Sequence, residues 1–188
     1  MSELASELPE PDDLEVVIGP LRRRHLRGVL RIEQKVYPRP WSMGLFMSEL
    51  AQRSGRVYLV ARVGGNVVGY AGLMQVLEDG HVTTIAVDPA WHRHKIGTRL
   101  LLALNDAAVA LGAKNLTLEV RITNTAAQEL YRQFGFVPAG IRKGYYQETN
   151  EDALVMWAND VDTPEHDQRL VGVAATIRGA TVHEEFDR

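Results

Sequence analysis

The sequence predicts an α/β protein built on a mixed, mostly antiparallel sheet, and three observations carry that prediction. Apolar residues recur every three to four positions over 21–35 and again over 96–111, the spacing of amphipathic helices. Two β-rich runs flank Gly64-Gly65-Asn66, a hairpin signal, because glycine and asparagine accept the positive φ of a tight turn. A strand-like, a helix-like and a strand-like stretch follow one another over 81–120, which makes the two strands parallel.

Residues 14–18 read as a strand closed by Gly19-Pro20. Leu21, Leu26, Val29, Leu30, Ile32 and Val36, with arginines between them, make a helix through about Lys35. Tyr37-Pro38-Arg39-Pro40 breaks it, since each proline removes a donor and restricts its neighbour. Ser42 is an N-cap for a second helix that runs to about Gln52. Residues 57–63, 67–77 and 81–87 then form an antiparallel meander that Asp88-Pro89 ends. The long helix over 96–111 stops at Gly112, and residues 115–120 form the next strand. Asn124 or Thr125 caps a helix carrying Ala127, Leu130, Tyr131 and Phe134, stopped by Gly135. Strands near 136–141 and 153–157 complete the order β-α-α-β-β-β-α-β-α-β-β.

The chain of 188 residues is 45% hydrophobic and 24% charged, enough for one well-filled core. It has no cysteine, which excludes disulfides, thiolate metal sites and a cysteine nucleophile. No apolar run reaches the roughly 18 residues of a spanning helix, and the start of the chain is acidic rather than basic and then apolar. A cytoplasmic protein without a membrane partner is therefore expected. The net charge of −3 hides an asymmetry: residues 1–13 form an acidic tail, 14–159 a basic central domain, and 160–188 an acidic extension to which the sequence assigns no role beyond a weak apolar patch over 170–177. A basic core suits a polyanionic small ligand. Arg22, Arg23 and Arg24 on the first helix read as a solvated face, and no direct nucleic-acid partner is expected.

The segment from Ile85-Ala86-Val87-Asp88-Pro89 through His92-Arg93-His94-Lys95-Ile96-Gly97-Thr98 resembles the phosphate loop of the GCN5-related N-acetyltransferase superfamily, Gln/Arg-x-x-Gly-x-Gly/Ala between a strand and a helix. The physical reason is that a helix N-terminus offers unpaired N–H groups and the positive end of its dipole to the pyrophosphate of coenzyme A. Leu118-Glu119-Val120-Arg121-Ile122-Thr123-Asn124 and Leu130-Tyr131-Arg132-Gln133-Phe134-Gly135-Phe136 are similar to the superfamily's later motifs. Together with Tyr37-Pro38-Arg39-Pro40-Trp41-Ser42 and Ile141-Arg142-Lys143-Gly144-Tyr145-Tyr146, they look like the RimI-type ribosomal-protein alanine N-acetyltransferases. The match spans about residues 15–157. Two positions depart from it, His92 at the usual glutamine or arginine and Lys95 at the usual first loop glycine.

The resemblance implies the acetyltransferase (GNAT) fold, with its sheet splayed between the fourth and fifth strands, and an acetyl-CoA-dependent enzyme. It implies Glu119 as general base and Tyr131 as general acid toward the sulfur. Ile85, Ala86, Val87, Arg93, His94, Lys95, Ile96, Gly97, Thr98 and Asn124 are the implied cofactor contacts, with the Val87 N–H as oxyanion donor. Tyr37, Pro40, Trp41, Arg142, Tyr145 and Tyr146 are the implied acceptor contacts. The acceptor it implies is a protein N-terminus, the alanine of small-subunit ribosomal protein eighteen, acetylated by direct attack.

On spacing alone each residue keeps a second reading: Glu119 as a solvated strand position, Tyr131 as a core aromatic, Asn124 as a helix cap. His92-x-His94 lacks a third ligand, so no metal is expected. A lysine or small-molecule amine acceptor, and a non-catalytic CoA-binding module, remain as alternatives to the N-terminal acetyltransferase.

Overall fold

The computed structural model describes residues 9, 10, 12, 14–52 and 54–185, so most of the acidic stretch 1–13 lies outside the described residues. The elements are β1 (Glu15–Pro20), α1 (Leu26–Val36), α2 (Met43–Leu50), β2 (Arg56–Val63), β3 (Asn66–Val76), β4 (Asp79–Val87), α3 (Ile96–Ala110), β5 (Asn115–Arg121), α4 (Thr125–Gln133), β6 (Val137–Tyr146), β7 (Glu151–Ala158), α5 (Pro164–Ala174) and β8 (Ala180–His183). The strands form one sheet in the order β6-β7-β5-β4-β3-β2-β1-β8. Its pairs are antiparallel except β4 with β5 and β1 with β8. The meander, the strand–helix–strand crossover and the expected element order are all present.

Both faces of the central strands are covered. Leu59 and Ala61 of β2 belong to the core beneath α3, whereas Tyr58 and Val60 join Leu26, Val29, Ile32 and Phe46 beneath α1 and α2. This is why residues 57–61 are apolar without alternation: a strand buried on both faces needs no polar side. Gly28 lets α1 approach the sheet closely, for a Cβ there falls 2.7 Å from the Val67 side chain. The first helix starts later than its apolar spacing suggests, after a 3-10 turn at Arg23–His25. Ser42 caps α2 as expected, its Oγ accepting from the Leu45 N–H at 3.2 Å.

Two features of the sheet position the site. The ladder between β4 and β5 runs only from Asp79↔Asn115 to His81↔Thr117, and beyond that the strands part. A register shift in the β3–β4 pair, between Gly72 and Leu73, bulges β4 just where the parting begins. At the other end, β6 continues to Tyr146 rather than stopping near Ile141, with a register break over 142–146 around Gly144 at φ +57°.

Residues 160–185, for which the sequence offered only an apolar patch, supply α5 and β8. Thr163 caps α5, with Pro164 at its first turn, and His166 Nε2 lies 3.0 Å from Asn105 Oδ1 of α3. β8 lies parallel to β1, Glu15↔Ala180 through Ile18↔His183. Arg99 of α3 is 1% exposed and fastens this strand, donating to the carbonyls of Arg178 at 2.5 Å and Ala180 at 2.9 Å and to the Thr181 hydroxyl. Its acceptors are all neutral, and burial holds its pKa below the usual arginine value.

Candidate active site

The parted strands leave backbone groups of β4 without a partner strand. The Asp88 N–H donates to the Val68 carbonyl of β3 at 2.8 Å. By the alternation of a strand, the Val87 and Ile85 amides then face the gap left by β5. Tyr37, just past α1, reaches into the same gap and donates to the Ile85 carbonyl at 3.2 Å.

After β4 the chain turns through a 3-10 turn at Pro89–Trp91, which Asp88 caps by accepting from Ala90 N–H at 3.2 Å. Lys35 of α1 holds the same carboxylate at 2.8 Å, so the turn is tied to the helix across from it. Arg93 and Lys95 then adopt left-handed conformations, φ 67° and 58°, before α3 begins at Ile96. A left-handed residue beside a right-handed one turns successive N–H groups to one side, so Lys95 against the first turn of α3 favours an anion at the positive end of the helix. The conformation of Lys95 explains the glycine usual there: the position asks for a φ that β-carbons disfavour.

A cavity of about 590 Å³ opens in front of this loop, between it and α4. Ile85, Ala86, Val87, Arg93, Lys95, Ile96, Gly97, Thr98 and Asn124 line it, nine of the ten expected cofactor contacts. His94 does not. Its ring lies against Trp91, 5.6 Å between centroids, with Nδ1 3.0 Å from the His92 carbonyl. Asn124 caps α4 through Oδ1, accepting from Ala127 N–H at 3.1 Å, and lines the cavity as well.

A second cavity, about 390 Å³, lies toward α1, the α1–α2 connection and the β6–β7 hairpin. Tyr37, Trp41, Tyr145 and Tyr146 line it, while Pro40 does not. The two cavities share Val36, Ile85, Asn124 and Tyr131.

Glu119 stands on the wall of the second cavity, on the face of β5 opposite the buried Leu118 and Val120. His81 Nε2 lies 2.6 Å from its Oε2, and Arg142 Nη1 lies 3.3 Å from its Oε1. The hydrogen bond from His81, with the charge of Arg142 behind it, holds the carboxyl below the usual carboxylate range despite its burial. Arg142 thus acts on Glu119 rather than on the cavity wall, with its guanidinium 5.6 Å from the Tyr145 ring centroid. Tyr131 is 6% exposed, its ring tilted on Phe136, and burial raises its pKa so that the phenol is protonated at neutral pH. Among the described residues no hydrogen bond engages its hydroxyl.

Several residues of this cavity escaped the sequence reading. Glu33 is 1% exposed at its base, accepts the Trp41 N–H at 2.6 Å and the Tyr70 hydroxyl, and so ties the α1–α2 connection to the sheet. Its signal was present, an acid four residues after Val29 and three before Val36, on the stripe that is otherwise apolar. Arg121 packs 3.9 Å from the Tyr146 ring centroid and pairs with Glu148 at 2.5 Å and Glu151 at 2.9 Å, closing the hairpin over β5. His81 had no sequence signal, because its meeting with Glu119 depends on where β4 and β5 part.

The profile of the acetyltransferase (GNAT) family matches residues 26–136. The chain is 38% identical over 151 residues, 77% of its length, to 93% of the N-alpha-acetyltransferase RimI of Mycobacterium tuberculosis. It is 36% identical over 141 residues to the ribosomal protein bS18-alanine N-acetyltransferase of Escherichia coli, covering 74% of this chain and 94% of that protein. The crystal structure of the Escherichia coli ribosomal-protein-S18-alanine N-acetyltransferase superposes with a TM-score of 0.70 at 33% identity, over 77% of this chain and 94% of that one.

Proposed function

Since the chain belongs to the acetyltransferase (GNAT) family and is an acetyl-CoA-dependent N-acetyltransferase, we propose that it acetylates the α-amine of a protein N-terminus, the N-terminal alanine of ribosomal protein bS18. One observation carries the reading: a phosphate-cradling cavity and a carboxylate-bearing cavity meet at Tyr131. The names of the relatives support the choice of acceptor.

Bound acetyl-CoA supplies the activated acetyl group. The turned N–H groups of 93–97 and the start of α3 hold its phosphates, while the gap edge of β4 takes the pantetheine arm. The Val87 N–H is the donor that orients the thioester carbonyl and meets charge developing on its oxygen. Glu119, held ionised by His81 and Arg142, receives the proton from the amine through its oxygen or through the His81 ring, whose other nitrogen is unengaged among the described residues. An α-ammonium has a pKa near 8 and a lysine near 10.4, so a weakly basic carboxylate serves the former better. Tyr131, protonated and buried where the cavities meet, gives its hydroxyl proton to the departing sulfur.

The test is acetylation of a bS18 N-terminal peptide, read as released CoA thiol with the modified site located by mass spectrometry. A free N-terminal alanine should be modified in preference to an internal lysine on the same peptide with its α-amine blocked. Preference for the blocked peptide moves the acceptor to lysine, and release of no thiol with any amine removes the catalytic reading of Glu119 and Tyr131.

A further inference from the structure

The first helix carries a row of cations that the acetyl transfer does not use. Arg23, Arg27, Arg31, Lys35 and Arg39 follow at intervals of four from the 3-10 turn, along α1, to the α1–α2 connection, and all five are exposed. Arg24 is exposed beside them. In helical geometry a step of four residues advances about 6 Å, which spaces Arg27, Arg31 and Lys35 along α1, with Arg23 in the turn before the helix and Arg39 in the connection after it. The row ends at the acceptor cavity, which Arg39 lines.

What distinguishes the row is that cations outnumber the carboxylates near it: Asp88 serves Lys35 and Arg31, and Glu148 faces Arg39. The one acid of α1, Glu33, is buried under it. Lys35 is paired with Asp88, Glu184 acts on Arg22 and Arg24, and Arg31 donates to the Val67 carbonyl at 3.0 Å. Arg23 and Arg27 have no carboxylate partner among the described residues. An ordinary solvated helix mixes signs, as α5 does with exposed Glu165, Asp167 and Arg169. Here the exposed side is of one sign over 23–35, apart from Gln34, and the apolar stripe of Leu26, Val29 and Ile32 is spent on the core. With no apolar side to offer a bilayer, the face lacks what an interfacial membrane helix needs.

We propose that this face docks the sugar-phosphate backbone of RNA alongside the acceptor cavity. The expectation that no nucleic acid is bound rested on Arg22, Arg23 and Arg24 alone, whereas the folded helix extends the row to the cavity mouth. An arginine-rich face of this kind suits phosphates, whose contacts carry no sequence information. Resting on the proposed acceptor, the role of such docking is to bring the cavity to a ribosomal-protein N-terminus while that protein sits on RNA.

The experiment uses the full chain and a fluorescein-labelled 20-nucleotide oligouridine, titrated at 50 and 200 mM salt. Four phosphate contacts on a single strand predict a salt slope near −2.8, so about a 50-fold loss of affinity between the two salts. R23E/R27E should bind at least about tenfold more weakly at 50 mM, with its slope reduced by about 1.4. R23Q/R27Q should fall between that variant and the parent. Both variants should melt as the parent does and acetylate the free peptide at the parent rate. Equal RNA binding by parent and R23E/R27E overturns the proposal. So does polyglutamate of equal charge displacing the RNA as well as unlabelled RNA does, which would make the face a site for acidic protein. If no peptide is acetylated by the parent, the acceptor reading fails while the RNA titration still stands or falls by itself.

Discussion

On one side of Tyr131 the cavity lies between α4 and the strand end and loop within residues 85–98, which offer backbone N–H groups held by local turns. On the other side the wall is assembled from α1, the α1–α2 connection, β4, β5 and the β6–β7 hairpin, and it offers charged and aromatic side chains. What the loop offers depends little on side-chain identity, since an N–H belongs to every residue but proline. The other wall depends on identity at each position, because Glu119 is positioned by His81 and Arg142 and the connection carrying Trp41 is held by Glu33.

The sharpest test of that difference is Glu119→Gln, which keeps shape and removes the base. It should lower kcat for the alanine peptide by about 10³-fold, within the range for a lost proton-transfer group, while the KM for acetyl-CoA stays put. The deficit should shrink as pH passes the amine pKa near 8, where free amine no longer needs a base. A full rate in the variant would take Glu119 out of the reaction.

Tyr131→Phe comes next, at about 10²-fold in kcat with an unchanged melting temperature. Wild-type turnover by a variant that melts early would return Tyr131 to the core.

Lys95→Gly probes the other side and should do much less to turnover. Releasing a β-carbon from a left-handed φ favours the fold by about 1 kcal/mol, seen as a raised melting temperature. Affinity for acetyl-CoA should change no more than a few-fold, because the cradle is backbone. A loss as large as that of Glu119→Gln would show the Lys95 ammonium to be an essential contact and would erase the contrast.

The smallest effect concerns Glu33. Burial raises its pKa above the usual carboxylate value. A carboxyl raised on folding contributes stability that is complete below its unfolded pKa and is lost as pH rises through the folded one. The melting temperature of the parent relative to Glu33→Gln should therefore fall as pH climbs above about 4.3, the unperturbed glutamate value. A difference constant with pH would mean that Glu33 titrates alike folded and unfolded.

The same contrast explains what could be read from the sequence. The loop before α3 was legible because it is contiguous between a strand and a helix, and nine of the ten residues expected as cofactor contacts line one cavity. His94 is the expected contact that does not line it, its ring lying against Trp91. Glu119 was legible through the alternation of β5, but its partner His81 lies 38 residues earlier and meets it only through the register of a parallel pair. Pro40 lies on the right connection yet off the wall. The cap and proline at Thr163-Pro164 announced α5 and could have been read. β8 could not, since four residues with one exposed face become a strand only by pairing with β1.

That pairing orders events in time. Every other strand lies between β1 and β8 in the chain, so the sheet edge that these two share closes only after all of that intervening chain has been made. Until then β1 is satisfied on one side by β2 and open on the other, with Val16, Val17 and Ile18 along a strand edge that other chains can extend. The buried guanidinium of Arg99 faces the same wait, because its acceptors at 178–181 arrive together with the strand. The sheet edge farthest from β6 is thus where a chain still lacking β8 is most open to intermolecular pairing.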